Sequence, residues 1–182
     1  MIITGYSNDK GYEQLSTSTH FSSRKKCVFI SHKSEDKDVC FQIAEYLNKY
    51  GVDVYLDAFD VDLQTANITS NKEAVVKCIK RGIERSTHML CVVSPVTYKS
   101  MWVPFEIGYG SALLKEDPNK GVVLLPIKQL KKTALPDYLH TIPLLAGIDE
   151  LIKHIESISH QMGWGLNLRE LSLNKDRIRH HF

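Results

Sequence analysis

The sequence predicts an α/β domain: a doubly wound parallel sheet of about five strands with helices on both faces. Three observations carry that prediction. Short unbroken apolar runs such as Cys27-Val28-Phe29-Ile30 and Met89-Leu90-Cys91-Val92-Val93 suit strands buried on both faces of a parallel sheet. Between these runs lie segments with apolar residues at helical spacing, and alternation of strands with helices implies βαβ units. The chain has 182 residues, 43% of them hydrophobic, which suffices for one domain with a sizeable core.

Each element is justified in turn. Residues 1–24 are polar and rich in Ser and Thr, so they read as a flexible arm. The first strand, Cys27–Ile30, runs into the polar turn Ser31-His32-Lys33-Ser34-Glu35-Asp36. A helix follows with Val39, Ile43, Leu47 and Tyr50 on one stripe, closed by Gly51 in the position after its last turn. Residues 52–57 read as a second strand and 58–69 as a long loop. Ser70-x-x-Glu73 has the pattern of a capping box before a helix carrying Val76, Ile79 and Ile83. The third strand, Met89–Val93, leads to a helix whose start is marked by Ser100 as cap and by Pro104, whose missing N–H costs little in a first turn. Gly121–Ile127 is the fourth strand. Pro143 confines Ile142–Leu145 to a sheet edge. A last helix presents Ile148, Leu151, Ile152, Ile155, Ile158 and Met162 on one stripe and ends at Gly163. The domain therefore spans 25–162, with 163–182 as a tail.

Composition excludes several classes. A net charge of +2 with charges spread along the chain, the pairs Lys25-Lys26 and Lys131-Lys132 apart, is no nucleic-acid footprint. The four cysteines form no Cys-x-x-Cys pair and none of the eight histidines stands at ligand spacing from one, so no metal site is expected. Buried free thiols in a reducing compartment are the expectation instead. The N-terminus lacks the pattern of a signal peptide, and no run reaches the ~18 apolar residues of a membrane helix. A soluble, cytoplasmic protein without membrane contact is the reading.

Chemistry concentrates around Trp102 and Glu106. Four residues apart on a helix, they share one face. Ligands of doubly wound sheets bind outside the carboxyl ends of the strands, at the point where strand order reverses. The turn after Ile30, the loop after Asp57, the segment after Ser94 and the start of the Glu106 helix all fall at that edge. A carboxylate there, beside a large ring, is placed to act on a flat charged ligand.

In order and spacing these segments resemble a TIR (Toll/interleukin-1 receptor) domain of the bacterial NAD-cleaving type, over about residues 25–160. Phe29-Ile30-Ser31-His32 with Ser34-Glu35-Asp36 resembles the family's first box. Residues 51–57 resemble its second strand, ending in the usual aspartate. Ser94-Pro95, Tyr98, Ser100 and Trp102-x-x-x-Glu106 resemble the box with the catalytic glutamate. The resemblance implies a flavodoxin-like fold and cleavage of the nicotinamide–ribose bond of NAD+, the substrate, with no cofactor. It further implies self-association through TIR–TIR contacts. Its bacterial members include the proteins of anti-phage (Thoeris-like) defence, whose ADP-ribose-derived, often cyclic, products act as second messengers on a separate effector. One departure is that Gln64-Thr65-Ala66-Asn67 stands where many members carry a loop glycine.

By matching position, Glu106 would be the catalytic carboxylate. His32, Lys33 and Ser34 match the turn that meets phosphates and ribose, and Asp62 sits where a loop acid contacts substrate. Each has a plainer alternative. Trp102 shapes a ribose pocket or packs in the core; the two are compatible. Lys33 pairs with a pyrophosphate or is a solvated turn lysine. Ser31 contacts the substrate or satisfies turn backbone groups. His32 is a proton carrier or a hydrogen-bonded turn histidine. Asp57 caps the following loop, and Tyr98 borders the base or lies under the Glu106 helix. Competing functions are a non-enzymatic TIR adaptor and a nucleoside deoxyribosyltransferase-like enzyme. A phosphoacceptor receiver is disfavoured, since such domains need an acidic pair after the first strand and this chain has Ser31-His32-Lys33.

Overall fold

The computed structural model describes residues 26–115 and 121–159. The arm at 1–24, the tail at 163–182 and the expected helix end at Met162 and Gly163 lie outside the described residues.

Four parallel strands, β1 (Cys27–Ser31), β2 (Asp53–Tyr55), β3 (His88–Val93) and β4 (Gly121–Pro126), form one sheet in the order β2-β1-β3-β4. The chain passes from β1 outward to β2 and then crosses to the other side of β1 for β3, so strand order reverses between β1 and β3. In register Ser31 stands opposite Cys91. The expected edge strand at 142–145 reduces to a single parallel bridge between Leu124 and Leu144. Pro143 donates nothing, but its carbonyl accepts from the Leu124 N–H at 2.8 Å. Four strands plus this bridge are close to the expected five.

Two cores follow from the period-two alternation of the strands. Val28, Ile30, Leu90, Val92, Val123 and Leu125 face α1 (Lys37–Lys49) and α5 (Ile148–Ile158). Phe29, Met89, Cys91, Val93, Val122 and Leu124 face α2 (Val61–Ile68), α3 (Lys72–Arg85) and α4 (Val103–Leu114). Ser31, two residues beyond Phe29, points to this second side. Helix α1 ends as expected, with Gly51 at φ +73. The left-handed conformation there is open to glycine without strain. Gly82 of α3 allows a close approach, since a Cβ on it would stand 2.6 Å from ring carbons of Tyr55.

Three expectations are corrected. Residues 58–69 are not a loop: Asp57–Phe59 makes a 3-10 turn, and Val61–Ile68 is α2, started by Asp60, whose carboxylate accepts from the Leu63 N–H at 3.0 Å. Leu63 and Ala66 bury one narrow side of it, while Val61 and Ile68 stay exposed, so no amphipathic stripe advertised the helix. The cap of α3 is Asn71, whose side chain accepts from Ala74 N–H, not Ser70, which sits at φ +54. The second strand is shorter than 52–57, because Leu56 and Asp57 already turn away from the sheet.

Candidate active site

Helix α4 aims its first turn at the reversal point. Ser100 Oγ accepts from the backbone N–H groups of Trp102 (3.3 Å) and Val103 (3.1 Å), capping the helix from just outside it. Pro104 follows in the first turn. The Glu106 N–H then bonds the Trp102 carbonyl at 2.9 Å, so the two residues are stacked one turn apart as the spacing predicts.

Glu106 is 5% exposed. Its Oε2 accepts a 2.6 Å hydrogen bond from Ser31 Oγ, across the end of β1. Among the described residues no cation pairs with it. Burial raises its pKa to about 7, the Ser31 hydroxyl opposing and the Asp57 carboxylate adding to the rise. Near neutral pH the carboxyl is therefore poised between its two forms. Asp57 is 41% exposed at its side chain and lies 3.8 Å from His32 Nε2. The other ring nitrogen, Nδ1, is 3.4 Å from the Ile30 carbonyl, which can only accept. His32 is thus a buried turn histidine leaning on Asp57. The side chain of Asp57 caps nothing; its backbone carbonyl does, accepting from the Asp60 N–H.

The remaining predicted residues scatter around this centre. Trp102 is 38% exposed and packs edge-on against Phe105, with ring centroids 6.3 Å apart, so it is half-exposed and not a core anchor. Lys33 reaches Glu35 at 3.4 Å, and Ser34 is exposed at the start of a 3-10 turn. Tyr98 is largely exposed beside Lys99 and is not buried under α4. Asp62 stands on the first turn of α2, not in a loop, and bonds Arg81 at 2.8 Å.

Two other buried acids near the strand ends, Asp36 and Asp60, took no role in the sequence reading. Asp36, 1% exposed, accepts from Ser94 Oγ and pairs with Lys128 Nζ, both at 2.6 Å. This ties the ends of β1, β3 and β4 together. Asp60, equally buried, accepts from Tyr55 hydroxyl at 2.5 Å and pairs with Arg81 at 3.3 Å. Burial alone would raise its pKa, but Tyr55, the Leu63 N–H and Arg81 together hold it below the ordinary value. Asp36 was visible in the first turn motif. Its partner Lys128, 92 residues on, carried no local signal. No group of three or more His, Cys, Asp or Glu among the described residues is arranged to hold a metal. No helix among them is long and apolar enough to cross a membrane.

An open α/β sheet with an acidic side chain buried at its reversal point defines the class. Residues 28–156 match the TIR domain family, and the chain belongs to it. No curated protein matches by sequence. Among solved structures, the chain is similar to the Clostridium botulinum CMP N-glycosidase BcmB, at 19% identity and a TM-score of 0.47, over 72% of this chain and 98% of that one.

Proposed function

We propose that this TIR domain cleaves the nicotinamide–ribose bond of NAD+, with Glu106 as the catalytic carboxylate. The observation that supports it is the state of that side chain: buried, hydrogen-bonded by Ser31, beside Trp102, and without a cation. A carboxylate kept from water and from a counter-ion is costly in the free protein. The cost is recovered when a positive charge arrives.

NAD+ brings that charge on its nicotinamide ring. As the C1′–N bond breaks, its electron pair neutralises the ring nitrogen and positive charge moves to the ribose carbon and ring oxygen. Glu106 faces the same sugar throughout, so its attraction is transferred to the oxocarbenium-like centre. The leaving group departs neutral, so no general acid is needed. Ser31 holds one carboxylate oxygen and leaves the other for a ribose hydroxyl. Trp102 walls the sugar, the backbone of Ser34 with Lys33 meets the phosphates, and Tyr98 borders the ligand. Asp57, beside His32, adds negative potential on the same side. Asp62, already engaged by Arg81, contacts ribose hydroxyls from α2. A water molecule captures the cation as ADP-ribose, and an internal nucleophile gives a cyclic isomer.

In this reading copies self-associate through TIR–TIR contacts, and the product is a second messenger for a separate effector in anti-phage defence. Incubation with NAD+ under crowded conditions, followed by mass spectrometry, tests the proposal. Release of nicotinamide with an ADP-ribose-derived product supports it. Intact NAD+ from an associated sample points to the adaptor reading instead.

A further inference from the structure

A second cleft, of about 210 Å³, opens at the carboxyl edge of β3 and β4. Ser94, Pro95, Thr97 and Tyr98 line one side; Leu130 and the stretch Ala134–Leu139 line the other. It is smaller than the roughly 300–1,000 Å³ of pockets for drug-sized ligands, so it suits one flat ring system. Its floor is apolar: Val93, Leu135 and Leu139 are buried. Its rim carries two tyrosines, Tyr98 at 71% and Tyr138 at 46% exposure, whose rings are free to stack.

Charge at the mouth points the same way. Lys131 and Lys132, the pair that stood out in the sequence, sit on the loop between cleft residues Leu130 and Ala134, both exposed. Neither has an ion-pair partner among the described residues. Lys99 stands 5.7 Å over the Tyr98 ring. Asp137 is the sole acid of the 128–139 stretch. Lys128 and Gln129, at φ +53 and +55, hold this loop in a left-handed turn that non-glycine residues rarely adopt, and Lys128 anchors it to Asp36. An aromatic slot with a basic lip matches a flat base carrying a phosphate.

From this we infer that the cleft between residues 94–98 and 130–139 binds the purine base of an adenine nucleotide, with Lys131 and Lys132 meeting its phosphate. The 94–98 wall leads along the chain through the Ser100 cap into the start of α4. The ligand has two sources: the distal half of the dinucleotide substrate, or a separate adenine nucleotide acting as a regulator.

The test is calorimetric binding of AMP and adenosine to the full chain carrying Glu106→Gln, so that no turnover is required and failure of NAD+ cleavage leaves the result readable. AMP is expected to bind, and Tyr138→Ala is expected to weaken both ligands about tenfold, the size of one lost base–aromatic stack. Its melting temperature should hold, since Tyr138 is half exposed. The double variant Lys131→Gln/Lys132→Gln should weaken AMP, with a flatter salt dependence, and leave adenosine unchanged. Competition between NAD+ and AMP identifies the substrate's own base as the occupant. Simultaneous binding identifies a separate regulator. No AMP binding, or AMP affinity indifferent to both variants, overturns the inference.

Discussion

Glu106 and Asp36 lie at the same edge of the same sheet, both buried, both bonded at 2.6 Å by a serine hydroxyl. Among the described residues only one of them has a cation. Lys128 neutralises Asp36, and Arg81 does the same for Asp60 on the next loop. Those two acids serve as knots: each gathers two or three loops and is satisfied by its own chain. Glu106 is left with a hydroxyl alone, and burial lifts its pKa to about 7. The difference separates structure from chemistry. A fold that has finished with an acid pairs it; a buried acid left without a counter-ion, its ionised form held back by burial, marks where a positive ligand is expected.

The comparison breaks most visibly at Glu106 itself. Glu106→Gln keeps the Ser31 bond and the volume but removes the charge. NAD+ cleavage should fall on the order of a hundred- to a thousandfold, the cost of losing one preorganised electrostatic group. Chromatographic nicotinamide release from monodisperse protein measures it, and wild-type turnover would rule the assignment out.

Removing the cation from the other acid should cost stability instead. Lys128→Met strands Asp36 in the interior. Loss of one partner of a buried pair costs about 3–5 kcal/mol, and the half-exposed Lys128 places this case toward about 2. Urea unfolding measures it, and adding Asp36→Asn should recover part of the loss. A stable Lys128→Met protein would mean that Asp36 needs no counter-charge and that the contrast is empty.

The pH response should run in opposite senses for activity and stability. A carboxyl with a native pKa of about 7 against 4.5 keeps its proton in the folded state while the unfolded chain has already lost it. Stability therefore falls as pH rises from about 4.5 to 7 and levels off above. At pH 8 Glu106→Gln should be more stable than its parent by on the order of 2–3 kcal/mol, and equal to it near pH 4. Activity needs the ionised form, so kcat/KM should climb through about pH 7. Thermal melts and rate profiles in parallel would expose a mismatch.

The smallest effect is expected at Asp62. Its bond to Arg81 is exposed, so Asp62→Asn should change stability by less than about 1 kcal/mol. A raised KM for NAD+ with kcat kept would assign it to substrate. Unchanged kinetics would leave it only the Arg81 contact.

The fold was largely legible because the signals for its strands and main helices are local. Cys27–Ile30 and Met89–Val93 are unbroken apolar runs of strand length, and β1 and β3 extend each by one polar residue, Ser31 and His88. The α4 start was written in Ser100 and Pro104. Helix α2 was illegible for the converse reason: with Val61 and Ile68 exposed, its periodicity is nearly absent, and its start rests on Asp60, which looked like any loop acid. Of the candidate site, the stacking of Trp102 and Glu106 followed from a spacing of four. The Ser31 bond joins residues 75 apart and Lys128 meets Asp36 across 92, and no sequence window spans such pairs. Sequence named the acid, while only the fold revealed that no cation among the described residues pairs with it.

That solitude can be measured without any activity. NMR titration of the Glu106 carboxyl carbon should give a midpoint near 7 in the free protein, moving lower when a cationic, uncleavable NAD+ analogue binds. A midpoint near 4 that ignores the analogue would contradict the account.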